Sequence, residues 1–225
     1  MYSPQGTQTS EHLLEEAASA LQQGQLVAFP TDTLYALGAH AFIERAVRNV
    51  YRVKQRHIDM GLPLLLAKPT DIEKVGVDIP QIAWDLAEEF WPGALTLVLQ
   101  KGPSVLPCIT AGKGSVAVRV PNHRLALQLI EATGAPLTGT SANRSGGKDP
   151  VTALDVSEQL GQAVGVILDE GACPMKGASS IVDLTTTPPR IIRTGVIPYS
   201  TLKKVCPDIR LADKITQSRK EGVER

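Results

Sequence analysis

The chain has 225 residues, in which 23 lysines and arginines balance 23 aspartates and glutamates beside four histidines. A folded chain of this size hides roughly 70–75% of the surface its unfolded form exposes, so a full core forms without disulfide or metal staples. Hydrophobic content of 43% with 20% charged residues excludes global disorder, and zero formal net charge excludes attachment to nucleic acid by bulk positive charge.

Three cysteines, Cys108, Cys173 and Cys206, are widely spaced and form no Cys-x-x-Cys pair. That set matches neither a disulfide framework nor a zinc site, and it suits a reducing compartment. Residues 1–10 are polar and uncharged, unlike a secretory signal. No apolar run approaches the ~18 residues of a membrane span. The expectation is a cytoplasmic protein without a membrane partner, with one domain over 1–210 and a polar tail over 211–225.

In chain order, Ser10 is placed to cap a helix carrying Leu13, Leu14, Ala17, Ala20 and Leu21 at helical spacing, closed by Gly24. A short apolar strand over 25–29 stops at Pro30. Residues 42–54 read as a helix with Phe42, Ala46, Val47, Val50 and Tyr51 inward. A strand over 62–67 leads to a short helix opened by Pro69-Thr70-Asp71. A helix over 79–90 breaks at Trp91-Pro92-Gly93. Strands follow over 95–100 and 115–120, the second alternating in character. A helix over 125–132 ends at Gly134, and a strand over 137–140 enters a polar, Gly-rich loop over 141–149. The remainder gives a helix over 152–160, strands over 164–169, 180–184 and 190–193, and a helix over 199–205. Alternating strands and helices predict an α/β or α+β class with a mixed sheet.

Several familiar motifs fail on inspection. Gly112-Lys113-Gly114-Ser115 lacks the upstream glycine and the Ser/Thr after the lysine that a Walker loop needs. No Gly-x-Gly-x-x-Gly follows a strand, and no Gly-x-Ser-x-Gly elbow exists. Ser145 and Lys148 match Ser-x-x-Lys only formally, because two glycines between them spoil the helix that would align the pair. His12, His40, His57 and His123 have no zinc-ligand spacing, so no metal ligands are assigned.

What remains is five polar islands between apolar strands. Pro30-Thr31-Asp32-Thr33-Leu34-Tyr35 is either a turn with Asx/ST chemistry or a binding loop. Lys54-Gln55-Arg56 puts two cations at a helix C-terminus, where they complement its partial charge or hold an anion. Arg119 interrupts the apolar strand that Ser115 opens, a costly place for a cation unless an anion or a buried partner meets it. Thr138-Gly139-Thr140-Ser141-Ala142-Asn143-Arg144-Ser145-Gly146 offers small hydroxyls and close backbone approach. Ser179-Ser180-Ile181-Val182-Asp183 precedes Arg193-Thr194-Gly195. Together they supply cations and hydroxyls with no nucleophile–base pair. Such a set suits chemistry in which the protein positions reactants and neutralises charge, as in nucleotidyl transfer.

Taken in order, from about residue 25 to residue 195, these islands resemble the YrdC/TsaC family of threonylcarbamoyl-AMP synthases in its short form. Asp32 departs from the glutamate common there. Long-form members carry a second C-terminal domain, and the expectation here is the short form. The resemblance implies a YrdC-like twisted mixed sheet with flanking helices around a large concave cavity. It also implies L-threonylcarbamoyladenylate synthesis from L-threonine, bicarbonate or CO2 and ATP, with pyrophosphate released. That reaction is the first step of t6A modification of tRNA. Mg2+ would accompany ATP, and threonylcarbamoyl-transferase machinery would take the product. By the same resemblance Thr33, Arg119, Thr140 and Ser179 hold threonine. Lys54, Arg56, Ser115, Ser141, Asn143, Ser145 and Arg193 hold the nucleotide, with Lys54 and Arg56 catalytic. Two other readings stand beside it: a double-stranded-RNA or tRNA-binding module, and a carbamoyl-transferring YrdC-like domain. Two Trp, four Tyr and three Phe offer little stacking surface for RNA, so any tRNA contact would be weak.

Overall fold

A computed structural model of the chain describes residues 10–175 and 177–212. The first helix, α1 (Ser10–Gln22), packs against α5 (Arg124–Thr133) through Ala17, Leu21, Leu129 and Ile130, part of one of two apolar clusters. Gly134 closes α5 in the left-handed conformation that glycine adopts without penalty. Helix α2 (Glu44–Lys54) turns Ala46, Val47, Val50 and Tyr51 inward as the spacing predicts. Phe42 does not belong to that face. It lies in the preceding turn, 40% exposed, with its ring edge against His40.

The strands form two mixed sheets rather than the single one expected. The smaller runs β7-β2-β1-β8, built from β1 (Val27–Phe29), β2 (Ala36–Gly38), β7 (Thr140–Ser141) and β8 (Val166–Ile167). The larger runs β11-β10-β9-β4-β5-β3-β6. Its members are β3 (Leu64–Leu65), β4 (Leu95–Gln100), β5 (Ser115–Arg119), β6 (Leu137–Thr138), β9 (Ser180–Asp183), β10 (Arg190–Arg193) and β11 (Arg210–Leu211). Leu211, assigned to the tail, is therefore a strand residue; the rest of that tail beyond residue 212 lies outside the described residues.

The strand expected over 137–140 is divided at Gly139. Its first half pairs with β3 and its second with β2, so this one segment joins the two sheets. A side chain at Gly139 would meet Leu65 Cγ at 2.4 Å, so only a glycine lets the chain cross here against β3. β2, β11 and the one-turn helix α4 (Pro107–Thr110) escape the sequence because each is too short for periodicity to register.

The remaining helices are α3 (Gln81–Phe90), α6 (Ala153–Leu160) and α7 (Tyr199–Val205). Thr152 and Asp155 form a reciprocal capping box at α6. All three cysteines are buried and free. Among the described residues no helix is long and apolar enough to cross a membrane.

Candidate functional site

Period-two alternation builds the floor of the site. In the larger sheet Leu97, Val118 and Val182 pair across β4, β5 and β9 and point into the core. The residues between them, Thr96, Val98, Ala117, Arg119 and Ile181, point the other way and line a cavity of about 420 Å³. The smaller sheet contributes Ala36, Thr140 and Ser141 to the same lining, with Thr33 just ahead of β2. The volume falls in the range of small-molecule sites.

Arg119 is only 7% exposed, and its partners answer the question its place in a strand raises. Its Nη2 donates to Asp32 Oδ1 at 2.6 Å, its Nη1 to Thr33 Oγ1 at 2.8 Å and its Nε to the Gly93 carbonyl at 2.8 Å. Burial pulls the guanidinium pKa down and Asp32 opposes the shift. Two of its five N–H donors are left for a ligand. Asp32 Oδ1 also accepts from Asn122 N, while Asp32 Oδ2 is buried without a partner. The Thr31-Asp32-Thr33 turn is held by Thr31 Oγ1, which accepts from Thr33 N and Leu34 N and donates to the Leu34 carbonyl. The turn chemistry read from the sequence is therefore present, and it brings Thr31 and Thr33 to the cavity lining.

Arg193 reaches back across the β9–β10 edge. Its Nε donates to the Ser179 carbonyl and its Nη2 to Ser179 Oγ, both at 2.9 Å. Ser179 Oγ also lies 2.8 Å from Thr96 Oγ1. Burial lowers the Arg193 pKa, and the nearby Arg119 charge adds to the shift. Arg56 folds onto its own loop, donating to the Met60 carbonyl at 3.1 Å and the Gly61 carbonyl at 3.0 Å. Three of its N–H donors remain.

Thr33, Arg56, Ser115, Arg119, Thr140, Ser141, Ser179 and Arg193 all line this cavity, so eight of the sequence-selected residues converge on it. Lys54, Asn143 and Ser145 do not. Lys54 is 1% exposed and lies behind the wall. Its Nζ donates to the Ser141 carbonyl (2.5 Å), the Asn143 carbonyl (2.6 Å) and Asn143 Oδ1 (3.1 Å). Gln55, left-handed at φ 52°, turns the chain between Lys54 and Arg56, so the two cations part company. The sequence reading gives Lys54 a phosphate contact; in the structure, its three donors already meet three acceptors. Asn143 is buried on Lys54, and Ser145 is exposed beyond it.

Reading the sequence missed Thr96, Lys113 and Asp149 in the lining. Thr96 was legible as a hydroxyl on the cavity-facing register of an otherwise Leu/Val strand. Lys113 was set aside with the failed Walker pattern, yet its position beside Ser115 brings it to the cavity. Among the described residues no group of three or more His, Cys, Asp or Glu side chains could hold a metal ion. Asp149 is the one carboxylate of the described lining.

The family model Sua5/YciO/YrdC, described as telomere recombination, matches residues 19–195. A Pyrococcus abyssi (strain GE5 / Orsay) protein named threonylcarbamoyl-AMP synthase is 41% identical over 195 residues, which are 87% of this chain and 57% of its own length. A Mycobacterium tuberculosis (strain CDC 1551 / Oshkosh) relative is 39% identical over 189 residues, 84% of this chain and 87% of its own. The structure of P. abyssi Sua5 complexed with L-threonine superposes with a TM-score of 0.88 at 39% identity, covering 92% of this chain and 61% of that one. The chain thus spans about three fifths of the Pyrococcus sequence and of the Pyrococcus structure that it matches.

Proposed function

The chain belongs to the Sua5/YciO/YrdC family, and from that membership we propose that it is an L-threonylcarbamoyladenylate synthase. It would join L-threonine, bicarbonate or CO2 and ATP into threonylcarbamoyl-AMP with release of pyrophosphate, the first step toward t6A in tRNA. The observation that carries this reading is the convergence in one hydroxyl-bearing cavity of Arg119, held by Asp32 and Thr33, with three further cations, Arg56, Lys113 and Arg193. The single domain, reaching through β11 at Leu211, carries this chemistry in the cytoplasm.

Arg119 takes the threonine carboxylate with its two remaining N–H groups, and Thr33, Thr140 and Ser179 hold the rest of the amino acid. Arg56, Ser115, Ser141 and Arg193 hold the nucleotide and its phosphates, and Asn143 and Ser145 support the Ser141 loop. The threonine amine attacks the carbon of CO2; an N–C bond forms, a proton leaves the nitrogen and a carbamate anion results. From bicarbonate the same bond forms with loss of water. A carbamate oxygen then attacks the α-phosphorus. As that P–O bond forms, the bond to the α–β bridging oxygen breaks, and its electron pair departs on pyrophosphate. The proton from the nitrogen passes to solvent water, and because the carbamate is already anionic, its attack on phosphorus needs no general base. Arg56 and Arg193 stabilise the charge that grows on the phosphates.

Mg2+ would arrive on ATP, held by the phosphates, with Asp149 the carboxylate at hand; when bound it neutralises phosphate charge. The product is a labile mixed anhydride, so a threonylcarbamoyl-transferring partner must accept it, and any tRNA contact is weak and secondary.

The test is pyrophosphate release with single omissions of threonine, bicarbonate and ATP. All three must be required, and carbamoyl phosphate must not replace bicarbonate. Arg193→Ala should weaken ATP by about ten- to hundredfold, the worth of a charged hydrogen-bonding partner. Release that needs no threonine, or tight salt-dependent tRNA binding without turnover, overturns this reading.

A further inference from the structure

Lys54 is a charged side chain among the largest fully buried residues of the protein. An ammonium has three donors and no acceptor. Here three oxygens meet it one for one, and all three belong to a single stretch, as the carbonyls of Ser141 and Asn143 and the side-chain oxygen of Asn143. The stretch is closed on itself as well. Ser141 Oγ donates to Asn143 Oδ1 at 2.6 Å, and Asn143 Nδ2 donates to the Gly147 carbonyl at 3.0 Å. Ser145 N returns to the Lys54 carbonyl at 2.8 Å, so helix α2 grips the loop by main chain and side chain together.

Inward-turned carbonyls around one positive centre are how a protein loop wraps a small cation. Without that centre the carbonyls would be left buried and unmatched. We infer that Lys54 is a positioning residue: a tethered ammonium that shapes the Ser141–Asn143 loop in the ligand-free protein and does not itself touch the nucleotide. Reaching a phosphate would require the ammonium to release an oxygen it already holds, whereas Arg56, two residues on, lines the cavity with donors to spare. Ser141 lines the cavity too, so the loop that Lys54 shapes is the one that presents this hydroxyl. The functional consequence rests on the reading of the cavity as an ATP site; the structural role does not.

The test removes the ammonium and returns it as a free molecule. Lys54→Ala deletes the last three carbons and the nitrogen of the side chain, a gap that n-propylammonium fills and n-propanol fills without charge. Expected results are a lower melting temperature of the ligand-free protein and ATP binding weakened by about tenfold or more. Threonine affinity, measured by calorimetry, should stay within about twofold of wild type. The ammonium should restore melting temperature and ATP binding, and the alcohol neither. Lys54→Met, which keeps an apolar stem and leaves no gap for the amine, should show the same two losses without rescue if Lys54→Ala does not fold. Lys54→Arg should also bind ATP poorly, because a planar fork does not fit three convergent oxygens; a phosphate contact would tolerate that change far better. An unchanged ligand-free melting temperature in Lys54→Met, or wild-type ATP affinity in Lys54→Arg, overturns the inference. If the wild-type protein binds no ATP, the proposed function fails instead, and melting temperature with n-propylammonium still decides the role of Lys54.

Discussion

Replacing Arg119 with alanine separates two effects that the structure ties together. The guanidinium is the partner of Asp32, whose carboxylate is itself buried and keeps only the Asn122 N–H once Arg119 is gone. Removing one member of a buried pair leaves an uncompensated charge, which costs about 3–5 kcal/mol. That is a large share of the ~5–15 kcal/mol stability of a typical domain. A urea melt should show the midpoint falling with little change in slope. Adding Asp32→Asn removes the stranded charge at almost constant shape, so Arg119→Ala/Asp32→Asn should recover about 2 kcal/mol over the single variant. Threonine affinity should not recover, because the carboxylate partner is still missing. A double variant no more stable than Arg119→Ala would refute the claim that buried charge dominates this site.

Gly195→Ala tests the β9–β10 edge. A Cβ there would lie 2.3 Å from the Ala178 carbonyl oxygen and 2.4 Å from Ser180 N, backbone that no rotamer change can move aside. A loss of about 1–3 kcal/mol is expected, with Ser179 and Arg193 displaced, whereas Gly114→Ala, which meets nothing within 4 Å, should be silent. Burial, reinforced by Arg56, lowers the Lys54 pKa to about 8 from an ordinary value of 10.5, so ATP affinity should decline as pH rises through about 8. The decline is followed by calorimetry between those two values, with the fold checked at each pH. A flat ATP affinity across that range would contradict it. Asp155 is held well below the usual carboxylate range by Lys148 first and Thr152 next. Its stabilisation is present above the ordinary value of 3.8 and is lost as pH falls toward the depressed one. Asp155→Ala should therefore cost about 1 kcal/mol at neutral pH, shrinking in acid, as followed by chemical melts at each pH.

Local signals carried much of this protein. The spacing of Ala46, Val47, Val50 and Tyr51 gave the buried face of α2, Gly134 gave the end of α5, and the alternation over Ser115–Arg119 put Ser115 and Arg119 on one face before any partner strand was known. These features depend on residues close in the chain, so they survive as patterns in the sequence. The same is true of the chemical inventory, since a cavity assembled from cations and small hydroxyls needs those residue types wherever the chain supplies them.

Tertiary structure decided what depends on distant approach. The division of one strand at Gly139 into two sheets is set by Leu65, more than seventy residues earlier, and nothing near Gly139 announces it. Lys54 and Arg56 are near neighbours with the same charge, and a single left-handed residue sends one into the interior and the other into the cavity. Composition and spacing settle which groups a chain possesses; which of those groups are free to bind is settled by the long-range contacts that use up the others.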